Sequence, residues 1–178
     1  MSVQLNSGIK EKLSTSSELG CREFSILFVC LGNICRSPMA EGIFRQIIEH
    51  ESKNDIFKID SAGLLSFHQG ELADSRMRFH AKKRGYHLTH RSRPVNKNDI
   101  EKFDLIIGMD HQNIIGLNRL ASNQEQASKI YLMTDFCQKL QAMEIPDPYY
   151  DGDEGFNHVI DLLEDACKGL YNHLTNIK

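Results

Sequence analysis

What this chain lacks narrows the field before any motif is considered. No stretch reaches the about eighteen consecutive apolar residues that a helix needs to cross a bilayer, and the N-terminus has no apolar core of the secretory kind. The expectation is a cytoplasmic protein with no membrane partner. Basic residues do not predominate: 21 Lys and Arg face 24 Asp and Glu, for a formal charge of -3, which is not the electrostatic footprint of a nucleic-acid binder. The five cysteines (Cys21, Cys30, Cys35, Cys137 and Cys167) are odd in number and scattered, unlike a secreted disulfide framework, and read as reduced thiols. Eight histidines are present, but no Cys/His pairs have zinc-ligand spacing, so no metal site is expected. No internal repeat is found, and the short cluster Ser14 to Ser17 is the one low-complexity feature.

At 178 residues the chain suits one domain with a core of its own. Residues 1–23 show no sustained period and read as a flexible leader, either a native tail or the remnant of a purification tag; residues 24–178 form the domain. Within it, Phe24 to Val29 is a short apolar, β-prone run that ends in a Gly-containing loop, and Pro38 with Ile43, Phe44, Ile47 and Ile48 at helical spacing predicts a helix to about Glu49. Ile56 to Ile59 predicts a second strand leading into Ser61-Ala62-Gly63, after which Asp74 can cap a helix running towards Gly85. Phe103 to Met109 and Ile130 to Met133 predict two more strands, with a short helix from Gln112 to Leu120 between them. Phe156, Val159, Ile160, Leu163, Cys167, Leu170, Tyr171 and Leu174 then make one helical stripe. Strands alternating with helices predict an α/β, three-layer, Rossmann-like fold: a parallel sheet with helices on both faces, binding its ligand at the carboxyl ends of strands.

The loop between the first strand and first helix reads Cys30-Leu31-Gly32-Asn33-Ile34-Cys35-Arg36-Ser37, with five residues between Cys30 and Arg36. A tight loop of this length can turn its backbone N–H groups inward at the positive end of the helix, forming an anion nest for one phosphate from Leu31, Gly32, Asn33, Ile34, Cys35 and Arg36. Arg36 adds a planar two-pronged clamp whose charge persists at physiological pH. The same field favours the thiolate of Cys30, the nucleophilic form. Ser37 is placed either to donate its hydroxyl to that thiolate or to cap the helix. A proton source is needed for the departing oxygen. Asp147, held between Pro146 and Pro148, is the natural candidate, with Tyr149 and Tyr150 as pocket walls. Alone, that string is an ordinary turn; beside the Cys30 loop it becomes a general acid.

With both segments in view, the chain resembles the low-molecular-weight protein tyrosine phosphatases from about Phe24 to the end. The landmarks are Val29-Cys30 to Pro38, Asp60-Ser61-Ala62-Gly63, Met109-Asp110 and Asp147-Pro148-Tyr149-Tyr150, in that order. The resemblance implies a four-stranded parallel sheet and hydrolysis of phosphotyrosine in proteins, or of small aryl phosphates, through a cysteinyl-phosphate. It implies no metal or organic cofactor; oxyanions such as inorganic phosphate are expected in the loop, and the chain is expected to act as a monomer. It further implies an Asn33 side-chain bond to Ser61 that holds the loop, a Cys35 able to form a disulfide with Cys30 or else simply filling the loop, and an aromatic pocket mouth at Phe67. One departure is Arg84 before Gly85, where some relatives carry a His that supports the loop asparagine.

Rival readings are weaker on the residues. A thiol-linked arsenate reductase needs closely spaced resolving cysteines, whereas Cys137 and Cys167 lie far apart. A phosphopeptide-binding or redox-sensing module would dispense with Cys30, Arg36 or Asp147, and all are present. A nucleotide P-loop would end in Gly-Lys-Ser/Thr.

Overall fold

Every residue from Phe24 to Cys30 is buried in the computed structural model, which describes residues 4–19 and 23–175. A strand covered on both faces is apolar along its whole length, and β1 (Phe24–Cys30) accordingly lies inside the sheet. It pairs in parallel with β2 (Phe57–Gly63) on one side and with β3 (Leu105–Gly108) on the other, and β4 (Ile130–Leu132) completes the order β2-β1-β3-β4. The fold is therefore the expected α/β architecture with a four-stranded parallel sheet. The chain leaves β1 for one neighbour and later crosses to the other, so the loop after β1 stands at the topological switch point.

Alternation along β1 separates the two faces. Ile26, Phe28 and Cys30 point into the larger core, beneath α2 (Arg36–His50) and α7 (Asp153–Thr175); Leu27 and Val29 point into a smaller one beneath α4 (Lys97–Lys102) and α5 (His111–Leu120). The stripe from Phe156 to Leu174 is buried along α7. Gly169 lets that helix pass close to the carbonyl of Phe136, which a Cβ would strike. Between β2 and α4 lies α3 (Ser75–Lys83), whose first turn is capped by Asp74 accepting from the Arg76 N–H at 2.8 Å.

Boundaries differ from the sequence reading in instructive ways. α2 starts at Arg36, before Pro38, because the first helical N–H groups have no partner in the helix and a proline there forfeits nothing. α4 went unseen: Ile100 is its one large apolar side chain, and it rests instead on a reciprocal capping box between Asn96 and Asp99.

The N-terminal segment corrects the expectation of a flexible leader. Residues Ser7–Leu19 form α1, and Leu5, Ile9 and Leu13 are buried in the larger core at 3%, 2% and 8% exposure. Their four-residue spacing draws one apolar stripe, and burying such a side chain contributes ~1.5–3 kcal/mol. Asn6 caps α1 through the Ile9 N–H (2.8 Å) and also donates to Ser128 O (2.8 Å), while Lys12 reaches Asp104 at 3.4 Å. Residues 1–3 and 20–22, including Cys21, lie outside the described residues.

Candidate active site

The end of β1 and the start of α2 are separated by residues 31–35, so the chain must reverse its course tightly around the Cys30 side chain. Asn33 makes the reversal with φ of 54°, a left-handed conformation that asparagine tolerates better than most residues. Its N–H then donates to Cys30 Sγ at 3.2 Å, while Ser37 Oγ, from the second residue of α2, stands 3.1 Å from the same sulfur. Cys30 is 3% exposed.

The Asn33 amide is oriented by its partners. Oδ1 accepts from the Arg93 N–H (3.0 Å) and faces His90 Nε2 (3.1 Å), which must therefore carry a proton; Nδ2 donates to Ser37 Oγ and Ser61 Oγ, both at 2.9 Å. Ser37 has thus already accepted a bond, and its own hydrogen can go to Cys30 Sγ or to the Ala62 carbonyl at 3.3 Å. With a thiolate at Cys30 the hydroxyl turns to sulfur, since the thiolate has no proton to offer. Behind this layer, Ser61 donates to Glu41 Oε2 at 2.6 Å, and His90 Nδ1 lies 3.3 Å from Glu41 and 3.7 Å from Asp60. Those carboxylates also hold Arg45 and Arg93, so Glu41, Asp60 and His90 belong to an ion network that buttresses the loop. The expectation about Arg84 is corrected here: Arg84 pairs with Asp161 and Glu164 on α7 at 2.5 and 3.2 Å, and the loop asparagine takes its histidine from His90.

β2 approaches the loop so closely that only glycine fits at its end. A Cβ on Gly63 would lie 2.9 Å from Gly32 C and 3.0 Å from both Asn33 N and Leu31 O. Gly63→Ala is expected to cost about 1–3 kcal/mol and to lower kcat together with thermal stability. Paired thermal melts and turnover rates check this, and an unchanged rate would mean the loop yields without consequence.

Arg36 is 2% exposed and reaches across the site from the loop. Its Nη1 donates to Asp110 Oδ2 (2.5 Å) and to the Ile145 carbonyl (3.2 Å), and Nη2 donates to Asp147 Oδ2 (2.6 Å). Burial works against its charge, but Cys30, Asp147 and Asp110 outweigh that and raise its pKa above the ordinary value. Asp147 accepts the Tyr149 N–H on Oδ1 at 3.2 Å, capping the short 3₁₀ turn Pro148–Tyr150 and leaving Oδ2 to Arg36. Burial, helped by the nearby Asp74 carboxylate, pushes the Cys35 thiol up, so it remains protonated. Burial likewise raises Cys137 to about 11.

These groups open on a cleft of about 290 Å³. Cys30, Leu31, Gly32, Ile34, Cys35 and Arg36 line it from the loop side, with Asp147, Tyr149 and Tyr150 facing them. Phe67 and Tyr150 stand at the mouth, 86% and 95% exposed. Asn33, Ser37 and Ser61 are buried behind the cleft and do not line it.

Sequence reasoning missed Asp110 as the orienter of Arg36, His90 and Glu41 as the outer support, and the Ile145 carbonyl. Asp110 had a usable signal. It lies two residues past β3, at the carboxyl end of a parallel strand, and caps α5 through Asn113 N (2.6 Å), the position where α/β folds gather functional groups.

Comparison with known proteins bears on this geometry. A profile of the low molecular weight phosphotyrosine protein phosphatases matches residues 25–178. A protein from Synechocystis sp. named for the low molecular weight protein-tyrosine-phosphatases is 44% identical, covering 84% of this chain and 95% of its own length. The low molecular weight phosphotyrosine protein phosphatase of Rattus norvegicus is 38% identical over 86% of this chain and 96% of its own. Among solved structures, a protein tyrosine phosphatase from Entamoeba histolytica with Hepes in the active site superposes with a TM-score of 0.84 at 45% identity, covering 86% of this chain and 97% of that one.

Proposed function

Because the chain belongs to the low molecular weight phosphotyrosine protein phosphatase family, whose members are protein-tyrosine phosphatases, we propose that Cys30 is its nucleophile, Arg36 its phosphate clamp and Asp147 its general acid and base. The observation that carries this is the meeting of three groups at one cleft: a sulfur held by the Asn33 N–H and Ser37, a buried guanidinium, and a carboxylate 2.6 Å from that guanidinium.

In the first step Cys30 Sγ attacks phosphorus in line, the S–P bond forms as the P–O bond breaks, and the departing phenolate oxygen takes a proton from Asp147. Arg36 Nε and Nη2 hold the phosphoryl oxygens, Nη2 being handed over by Asp147 as that carboxyl turns to the leaving oxygen. Loop N–H groups take the remaining charge. In the second step Asp147 removes a proton from water, water oxygen bonds to phosphorus, and the S–P bond breaks. The Ser37 hydroxyl then stabilises the departing thiolate. Phe67, Tyr149 and Tyr150 give the substrate ring apolar walls deep enough to favour tyrosine over the shorter serine. The Hepes in the Entamoeba relative carries a sulfonate, a tetrahedral oxyanion of the kind this loop would hold.

The test is hydrolysis of phosphotyrosine and phosphoserine peptides in the presence of EDTA. Rapid release from phosphotyrosine alone is expected, since Cys30 and Arg36 supply what a metal would otherwise provide. Dependence on added metal, or equal turnover of both peptides, would sink the reading. We further assign residues 24–178 as the catalytic domain and a reducing, cytoplasmic setting, which keeps Cys30 a free thiol. Among the described residues no helix is long and apolar enough to cross a membrane. A monomer suffices, because all the proposed groups come from one chain.

A further inference from the structure

Arg76, in the first turn of α3, does not line the cleft, yet each nitrogen of its guanidinium is committed. Nε and Nη2 fork onto Asp74 Oδ1 and Oδ2 at 3.1 and 2.9 Å, and Nη1 donates to the Tyr149 carbonyl at 2.9 Å. Its Cζ also lies 5.2 Å from the Tyr149 ring centre and 4.9 Å from that of Phe156. The side chain is 43% exposed, and an exposed Arg–Asp pair contributes little to stability. What a planar bidentate fork does supply is direction.

That direction matters because of what lies at each end. Tyr149, gripped by its carbonyl and its ring, is the residue whose N–H orients Asp147 Oδ1 at 3.2 Å. Asp74, the base of the fork, donates its N–H to the Ile34 carbonyl of the anion loop at 2.8 Å. Ile34, Asp74, Arg76, Tyr149 and Asp147 therefore form a continuous strut from the loop beneath the phosphorus to the carboxyl above it.

Resting on Asp147 as the general acid, we propose that Arg76 is a positioning residue for proton transfer: it sets the distance between that carboxyl and the leaving oxygen without touching substrate. Proton transfer requires hydrogen-bond reach, and a displacement of about 1 Å at a reacting group costs up to ~10²-fold in rate. Loss of the strut should therefore hurt substrates in proportion to their need for an acid.

The experiment compares kcat/KM of Arg76→Ala, Arg76→Lys and Asp147→Ala on phenyl phosphate, whose phenolate leaves poorly unprotonated, and on p-nitrophenyl phosphate, whose phenolate leaves readily. Both Arg76 variants are expected to lose roughly tenfold or more on the phenyl ester and less than about threefold on the nitrophenyl ester. Inhibition by inorganic phosphate should stay within about twofold of the parent, since the anion loop keeps its own contacts. Lysine retains the charge but not the fork, so full activity in Arg76→Lys would overturn the proposal, as would equal losses on both esters or a weakened phosphate affinity. If Asp147→Ala discriminates between the esters and Arg76→Ala does not, only the strut is wrong. If Asp147→Ala itself fails to discriminate, the acid assignment fails and the strut falls with it.

Discussion

Cys30→Ser is expected to lower p-nitrophenyl phosphate hydrolysis by at least about 10⁴-fold while leaving the anion loop able to bind phosphate. Serine is close to cysteine in size, so the Asn33 N–H (3.2 Å) and Ser37 hydroxyl (3.1 Å) keep a partner at that position. What is lost is the anion. A hydroxyl does not ionise in this range even in a field that favours negative charge, and among the described residues no carboxylate or imidazole is hydrogen-bonded to position 30 to remove its proton. The groups around Cys30 are hydrogen-bond donors, with Arg36 as the nearby cation, an environment that holds an existing charge without creating one by proton abstraction. Initial rates in EDTA paired with calorimetric titration of inorganic phosphate separate the two properties. Retained turnover would remove Cys30 from the mechanism; lost turnover with lost phosphate affinity would indicate a collapsed loop.

The second large effect is expected at Arg36→Lys, a change that conserves charge and little else. Arg36 satisfies Asp110, the Ile145 carbonyl and Asp147 at 2.5, 3.2 and 2.6 Å from two nitrogens, with Nε remaining for a phosphoryl oxygen. A lysine ammonium has three donors on a single atom. It cannot span Asp110 and the phosphate together, and turning to one abandons the other. Loss of kcat/KM by ~10³-fold or more is expected, in line with the removal of a charged clamp from a developing phosphoryl centre. Asp110 has only 15% of its side chain exposed, and leaving its carboxylate short of a partner should cost a further ~1–3 kcal/mol of stability, read as a lowered Tm. A variant within threefold of the parent rate would show that the clamp lies elsewhere.

How legible the molecule was in its sequence depended on how local each signal is. The strand, loop and helix around Cys30 are contiguous, so the apolar run, the short loop and the helix start could be read together. The α7 stripe was legible for the same reason: a 3.6-residue period is a local property, and its apolar positions are buried as read. α1 was equally local, yet was missed: Leu5, Ile9 and Leu13 recur every four residues, but their polar neighbours obscure a stripe that amounts to one apolar residue per turn.

The outer support could not be read this way. His90 reaches Asn33 across 57 positions of sequence, and Arg36 reaches Ile145 across 109. Neither His90 nor the Ile145 carbonyl stands in a pattern that announces its partner. A family habit of placing a histidine near Gly85 pointed to the wrong residue, because what matters is which side chain the turn after α3 delivers to the loop. Arg84 leaves on the α7 side, whereas His90 arrives beside β2.

By itself, then, the sequence determined the α/β layering, the switch-point loop and which residues we propose as nucleophile, clamp and acid, because strand burial, helix period and loop length act between near neighbours. Only the tertiary structure decided how those groups are aimed: the Asn33 amide held by His90 and Arg93, Arg36 turned by Asp110, and Asp147 carried on a turn that Arg76 ties to the anion loop. Hydrogen bonds demand reach and direction within tenths of an ångström, and that precision comes from side chains that meet only after the sheet and helices have packed.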